Sequence, residues 1–456
     1  MSPETNPRVE GISIDEALAA VSPDHRENAR AALNWLLPEE DDTTWADLTQ
    51  IELQGFLWYS LPMKWLVEPA EHHEVARALA AVFDAAGLDR YAALCRSETT
   101  HTLIDLWPHD TERARKQFTK AFDSSGVAVP DTDLLAWGAV TGVDEYRATM
   151  RVSVALEEAL AAGKFVPGQR GWRQVTDEVT RAELLEPLTP DDPRTVLQSV
   201  LDERRSAWLR DLPRQGVAVS PGLQQASNSL DAQGPGAADA RLDQVADTLE
   251  PLTWLLDRLA DGAKLTQAGY LPKALALAAD ERYGWFEMHP FSTLRGESNL
   301  PHLTSLRQLA KDAGLTTTRR GLLSLSPKGR QARRRPRDFA ARVLDAAYRP
   351  DAWLGEATTI TSIMLLSAEP ATWLPVDQLE EGLLRGLRTQ FMVGNDRINR
   401  HDAAVVNWDV LRLLAVFGWV ERDGTVLDRH VRVTEAGRTA LLEGLRRRST
   451  APRVRP

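Results

Sequence analysis

The residues best equipped for chemistry are a string of arginines in the C-terminal half: Arg319, Arg320, Arg330, Arg333, Arg334, Arg335 and Arg337. Guanidinium groups at this density suit phosphates, because each can present a fork of N–H donors to one anion. A polar helix face precedes them. Within 300–313, Leu300, Leu303, Leu306 and Leu309 share one side at helical spacing, which leaves His302, Thr304, Ser305, Arg307, Gln308 and Lys311 facing outward. Such side chains bind phosphates and read base edges. A second cluster is His72, His73 and Glu74, with His101 and His109 further along. Imidazole and carboxylate could ligate a metal, but adjacent helical residues diverge in direction. His72 and His73 therefore do not converge on one ion, and a solvated surface is the expectation. No metal and no cofactor are expected.

Other chemistry finds little support. No phosphate-binding Gly-x-x-x-x-Gly-Lys-Ser/Thr, no Gly-x-Gly-x-x-Gly after a strand, no His-Glu-x-x-His and no Gly-x-Ser-x-Gly occurs. The chain is not expected to be an enzyme. Cys95 is the single cysteine, so an internal disulfide or a cysteine-based zinc cage is excluded. Its setting, RYAALCRS, reads as a buried, inert thiol in a helix.

The elements that must position the arginines occur twice. LRQLAKDAGLTTTRRGLLSLSPKGRQA (306–332) and LRLLAVFGWVERDGTVLDRHVRVTEAGRTA (411–440) follow one pattern. Each reads as an amphipathic helix, Gly, an apolar residue, a polar hairpin, a short strand, then Ser/Thr-x-x-Gly-Arg-x-Ala opening another helix. Gly314 matches Gly418, and Gly329 matches Gly437; the second hairpin is four residues longer. Gly314 and Gly418 are expected to end their helices in a left-handed turn. Leu323 and Leu325, like Val431 and Val433, alternate inward. Ser326 and Thr434 read as N-caps.

At these residues the chain resembles winged-helix domains of the MarR and ArsR regulator type. The likeness covers about 250–345 and 355–445 at the level of pattern, and the first copy, with DGAKLTQAGYLPKAL (261–275), also resembles a winged-helix-like module of bacterial proteins. The resemblance implies a recognition helix in the major groove and a wing at the backbone. It makes Thr304, Ser305, Arg307, Gln308, Lys311, Arg319, Arg320 and Arg330 the expected DNA-binding residues. The second copy departs from the pattern. Its helix shows Asn407, Asp409 and Arg412, and its wing mixes Glu421 and Asp423 with Arg422, Arg429 and Arg432.

Charge divides the chain in the same sense. Residues 1–249 hold 23 Lys and Arg against 41 Asp and Glu, net −18; residues 250–456 hold 31 against 24, net +7. An acidic half repels phosphate, while a mildly basic one is compatible with it. Residues 11–210 show helical periodicity, with helices expected near 71–86, 112–123, 145–162 and 194–210. Eight of the 14 tryptophans lie there and are expected to be core rather than a ligand stripe. The stretch 211–240, rich in Pro, Gly, Ser, Gln and Ala, reads as a flexible linker. The expected class is mainly α, with an acidic all-helical domain (1–210), the linker (211–240), two winged-helix-like α+β modules (241–345 and 346–447) and a basic tail (448–456).

No apolar run approaches the ~20 residues of a membrane span, and no secretory signal is visible, so a cytoplasmic protein without membrane contact is expected. The function expected is that of a DNA-binding regulatory protein acting through the first module on duplex DNA. Two alternatives stand beside it: a scaffold that binds another protein or itself, with no DNA contact, and a chain with no assignable activity.

Overall fold

Side-chain caps from Ser, Thr, Asp or Asn fix where several of these helices begin. The structure, a computed structural model, describes residues 12–37, 43–218, 220, 223, 237–286, 293–350, 352–369, 371–424 and 429–452. It is mainly helical, with four small sheets among the described residues. No helix there is long and apolar enough to cross a membrane. The chain divides into two compact units, 1–203 with 452–456, and 204–451.

In the first unit, α1 (Ile14–Ala20) opens on Ser13, whose hydroxyl accepts the Glu16 N–H while Glu16 accepts the Ser13 N–H. There follow α2 (Pro23–Leu36), α3 (Gln50–Gly55), a π-helical turn Phe56–Ser60, α4 (Leu61–Lys64), α5 (Pro69–Ala85), α6 (Asp89–Cys95), α7 (Glu98–Leu106) and α8 (Thr111–Asp123). They enclose Leu53, Leu57, Leu79, Phe83, Leu103 and Ile104. Trp45, Trp58 and Trp107 are buried, and their indole N–H groups donate to Ile12 O, Thr100 Oγ1 and Trp58 O. These three tryptophans are core, as expected. Cys95 is also buried, which pushes its thiol up to about 12 and keeps it unreactive.

A smaller core in the same unit surrounds Val152, Leu156, Leu184 and Val200. It is built by α9 (Val143–Ala161), α10 (Trp172–Leu185), β1 (Pro187–Thr189), β2 (Asp192–Thr195) and α11 (Val196–Asp211). Glu157 of α9 is buried and accepts the Gln50 N–H (2.8 Å) and the Tyr91 hydroxyl (2.6 Å) while pairing with Arg90. Its charge is thereby satisfied on both oxygens. The β1–β2 hairpin corrects the all-helical expectation for 1–210. Pro187 and Pro193 disfavour a helix interior there, and a turn at Pro190–Asp191 brings the strands antiparallel.

The expected linker 211–240 needs a similar correction at its ends. Asp211 still belongs to α11, Leu212 and Val217 are buried in the core of the second unit, and α12 (Ala237–Thr248) starts inside the stretch. Residues 219, 221–222 and 224–236 lie outside the described residues. The division between units falls at Glu203, within α11 rather than after 210. Residues 1–11 also lie outside.

The second unit contains the repeat. Its first copy runs α13 (Glu250–Arg258), β3 (Ala263–Lys264), α14 (Lys273–Tyr283), α15 (Pro301–Asp312), β4 (Thr316–Arg319), β5 (Leu322–Leu325) and α16 (Pro327–Ala332), followed by α17 (Pro336–Ala347). The second runs α18 (Trp353–Ser367), β6 (Leu374–Pro375), α19 (Val376–Leu387), a small hairpin β7–β8 (Met392–Val393 and Asp396–Arg397), α20 (Arg400–Val416), β9 (Val420–Gly424), β10 (Arg429–Val433) and α21 (Glu435–Thr450). Each copy makes a three-stranded antiparallel sheet of the same order, β3-β5-β4 and β6-β10-β9. One hydrophobic core, from Leu212 to Leu445, serves both copies. Within it α15 packs on α20, and α12 packs on both α17 and α21. The expected basic tail at 448–456 begins in order: α21 continues to Thr450, with Arg447 on Asp345 (2.7 Å) and Arg448 on Glu356 (2.5 Å).

The repeat holds at the level of single atoms. Gly314 and Gly418 sit at φ 67° and 66°, and the next N–H groups, of Leu315 and Trp419, return to Ala310 O (2.8 Å) and Leu414 O (2.9 Å). Ser326 Oγ donates to Gly314 O (2.6 Å) and accepts the Gly329 N–H (2.8 Å). Thr434 Oγ1 donates to Gly418 O (2.7 Å) and accepts the Gly437 N–H (2.9 Å). Gly329 and Gly437 are glycine because a Cβ would lie 2.0 Å from Leu315 O and 1.9 Å from Trp419 O. Neither backbone oxygen can move without breaking its bond from the Ser326 or Thr434 N–H. Gly329→Ala and Gly437→Ala should each cost about 3 kcal/mol or more in urea unfolding. Gly55→Ala, where a methyl meets nothing within 4 Å, should cost nothing. A G329A or G437A chain as stable as G55A would contradict the shared packing.

Candidate nucleic-acid interface

The site expected from the sequence is built on α15 and the β4–β5 hairpin. Arg319 pairs with Leu322 across the hairpin, which leaves Arg320 and Gly321 as its two turn residues, at φ 50° and 75°. Two consecutive left-handed residues are what a tight hairpin turn demands. Glycine takes that conformation freely, whereas Arg320 takes it at some cost. The turn lifts both arginines clear of the fold. Both are exposed, and neither makes an ion pair or side-chain hydrogen bond among the described residues.

The other expected residues are placed unevenly. Lys311 is exposed on α15. Arg330 is exposed, with Nη1 donating to Leu325 O at 2.8 Å. Gln308 is exposed but donates to both oxygens of Asp312 (2.9 and 3.0 Å). Arg307 is half-buried: its Nε donates to the buried Glu297 carboxylate (2.7 Å) and its Nη1 to Gly269 O (3.3 Å). Glu297 in turn accepts the Leu271 N–H at 2.6 Å, so Arg307 serves the fold around α14. Thr304 and Ser305 are half-buried and face a cavity shared with Asp409, Arg412 and Leu413 of α20.

Of the following arginines, Arg333 pairs with Asp257, and Arg337 with Asp239 (2.6 Å) and Asp243 (2.8 Å). Arg335 lies 3.6 Å from Asp338. The basic run is thus largely neutralised by acids of the same unit, and the hairpin tip keeps its charge.

Two side chains expected on outward helix faces are buried. Asn407 of α20 is fully enclosed by the core. His302 is 8% exposed and stacks on Trp285 with centroids 5.7 Å apart. Its Nδ1 has no hydrogen-bond partner among the described residues. Helical periodicity alone could not reveal this, because Trp285 lies in the loop after α14.

The second hairpin carries its charge differently. Arg432 bonds Glu421 across the strands (2.7 Å) and covers Trp373 at 4.6 Å. Arg429 lies over Trp408 at 4.1 Å. Both guanidinium groups are held to the fold by cation–π contact.

The histidine cluster of the first unit also differs from expectation. His72 and His73 do diverge: His72 is buried with Nε2 3.3 Å from Trp65 O. His73, however, meets His101, with their Nδ1 atoms 3.0 Å apart, while its Nε2 lies 2.7 Å from Asp105. An Asp105–His73–His101 chain needs one imidazole to donate and the other to accept. The 28-residue separation of the two histidines hid it from sequence patterning. His109 is exposed and stands apart. Among the described residues no group of three or more His, Cys, Asp or Glu is arranged to hold a metal.

Burial, reinforced by Arg422 and Arg412, lowers the His302 pKa from 6.5 to about 4. The unfolded chain binds that proton more readily, so the stability gained from a neutral His302 is full above pH 6.5 and is lost as pH falls toward 4. Unfolding free energy should drop across this window by on the order of 2–3 kcal/mol more in the wild-type chain than in His302→Gln. Equal pH slopes in urea titrations would refute it. No family model, no curated protein and no solved structure matches this chain.

Proposed function

We propose that the second unit is a tandem pair of winged-helix modules in a cytoplasmic DNA-binding regulator. In this reading the first module meets the phosphate backbone of duplex DNA through the β4–β5 wing. One observation carries it: Arg319 and Arg320 stand exposed at the hairpin tip with no ion pair among the described residues, while Arg429 and Arg432 of the second hairpin are held by Trp408, Trp373 and Glu421. Unpaired cations at a tip supply counterion-release affinity, and they are sequence-neutral because they reach phosphates rather than bases. Lys311 and Arg330 extend the same basic surface. Thr304 and Ser305 face a cavity beside α20, so α15 has fewer groups free for base reading than an isolated recognition helix would. Contact dominated by the wing, with weak sequence preference, follows. The acidic first unit repels phosphate and is assigned a sensing or recruiting role.

A scaffold that binds another protein or itself is the second reading. It is favoured by the packing of α15 on α20, which uses winged-helix surfaces for association within the chain.

Fluorescence anisotropy of the full chain with random duplex distinguishes the two. Reversing Arg319 and Arg320 together to Glu should weaken binding about equally on all sequences and lower the salt slope by roughly one to two units. Folding should change by no more than ~0.5 kcal/mol. Reversing Arg429 and Arg432 should weaken binding much less. Absence of duplex binding at low salt, or binding indifferent to the Arg319/Arg320 reversal, would leave the scaffold reading in its place.

A further inference from the structure

Between the two copies in the second unit lies a cavity of about 520 Å³. That is within the usual ~300–1,000 Å³ of small-molecule sites. It is lined by α15, by α20, by the connection from α17 into α18, and by Tyr270 and Ser298 from the loops before α14 and α15. Its apolar lining includes Leu309, Leu354, Leu413, Ala346 and Ala347. Its charges are Asp312, Asp409, Arg349 and Arg412, two of each sign.

The charges are not equally free. Arg412 bonds Asp409 at 2.8 Å, and Asp312 accepts both bonds from Gln308. Arg349 makes no ion pair or side-chain hydrogen bond among the described residues. It is held at the first turn of α18 by backbone contact. A Cβ on Gly355 would lie 2.1 Å from Arg349 O, so a glycine is required for the chain to cross there. That first turn has no side-chain cap, and its Ala352, Leu354 and Gly355 line the cavity. Its one acid, Glu356, is neutralised by Arg448. A free guanidinium beside uncapped helix N–H groups favours a carboxylate. On α15, Asp312 offers an acceptor for an ammonium group, and the Thr304 and Ser305 hydroxyls line the cavity about two turns away. The same cavity is also lined by Leu309, Leu354 and Leu413.

The geometry points to a binding site for a zwitterion with an apolar side chain: an aliphatic amino acid or a short apolar peptide. Arg349 takes the carboxylate, Asp312 the ammonium, and Leu309, Leu354 and Leu413 the side chain. This site does not depend on the DNA reading.

Isothermal titration calorimetry on the full chain tests it, using leucine, the dipeptide Leu-Leu and N-acetyl-leucinamide. Saturable binding is expected for at least one of the two zwitterions, and the stronger of the two identifies the source. N-acetyl-leucinamide, which lacks both charges, should bind about tenfold or more weakly. Arg349→Gln, a change at an exposed side chain, should weaken the zwitterion by a similar factor. Ser305→Trp should fill the cavity and abolish binding. Should S305W fail to fold, R349Q still decides the matter. The proposal is overturned by no saturable heat up to about 10 mM of either zwitterion, or by affinity unchanged in R349Q or shared by the blocked analogue.

Discussion

Both copies of the repeat depend on one hydroxyl wedged between the end of one helix and the start of another. Ser326 and Thr434 each donate to the carbonyl of a left-handed glycine and accept from the N–H of a buried one. A helix leaves its last carbonyls and first N–H groups without partners, and burying them bare is costly. Here one side chain satisfies a group of each kind. The bond also fixes the distance between the helix before the hairpin and the helix after it. With that distance set, the buried glycines let the closing helix lie against Leu315 O and Trp419 O. The hairpins, the third strand of each sheet and the shared core are then built on a common frame.

The two copies diverge where this frame puts no demand on them. In the first, the hairpin tip is a two-residue turn that projects charge into solvent. In the second, tryptophans at 373 and 408 draw the arginines of the hairpin back onto the fold. An exposed arginine keeps its attraction for phosphate, whereas one already stacked or bridged must give up a partner first. Acids from α12 and α13, Asp239, Asp243 and Asp257, likewise neutralise Arg333 and Arg337. The net +7 over residues 250–456 is therefore concentrated in fewer groups than the basic run suggests.

What the sequence made legible was local. The capping residues Ser326 and Thr434, the left-handed Gly314 and Gly418, and the helices near 71–86, 112–123, 145–162 and 194–210 depend on neighbours a few residues away. Periodicity and cap chemistry report such dependence directly. The misreadings came from distant partners. His302 looked solvent-facing until Trp285 covered it, and Arg307 looked like a groove contact until Glu297 claimed it. Asn407 sits on a face of α20 that is fully buried in the fold. The meeting of His73 with His101 needed α5 and α7 to pack. The β1–β2 hairpin escaped notice because its strands are three and four residues long, too short for alternation to be seen.

The proposed function has the first hairpin, and not the second, meeting duplex DNA. Hydrogen–deuterium exchange of the full chain with and without random duplex at low salt tests it most directly, since each hairpin is read separately in one experiment. Slowed exchange over 316–325 and the start of α16, with 420–424 and 429–433 unchanged, is the predicted result. Protection confined to the second hairpin, or no protection in either, would contradict it.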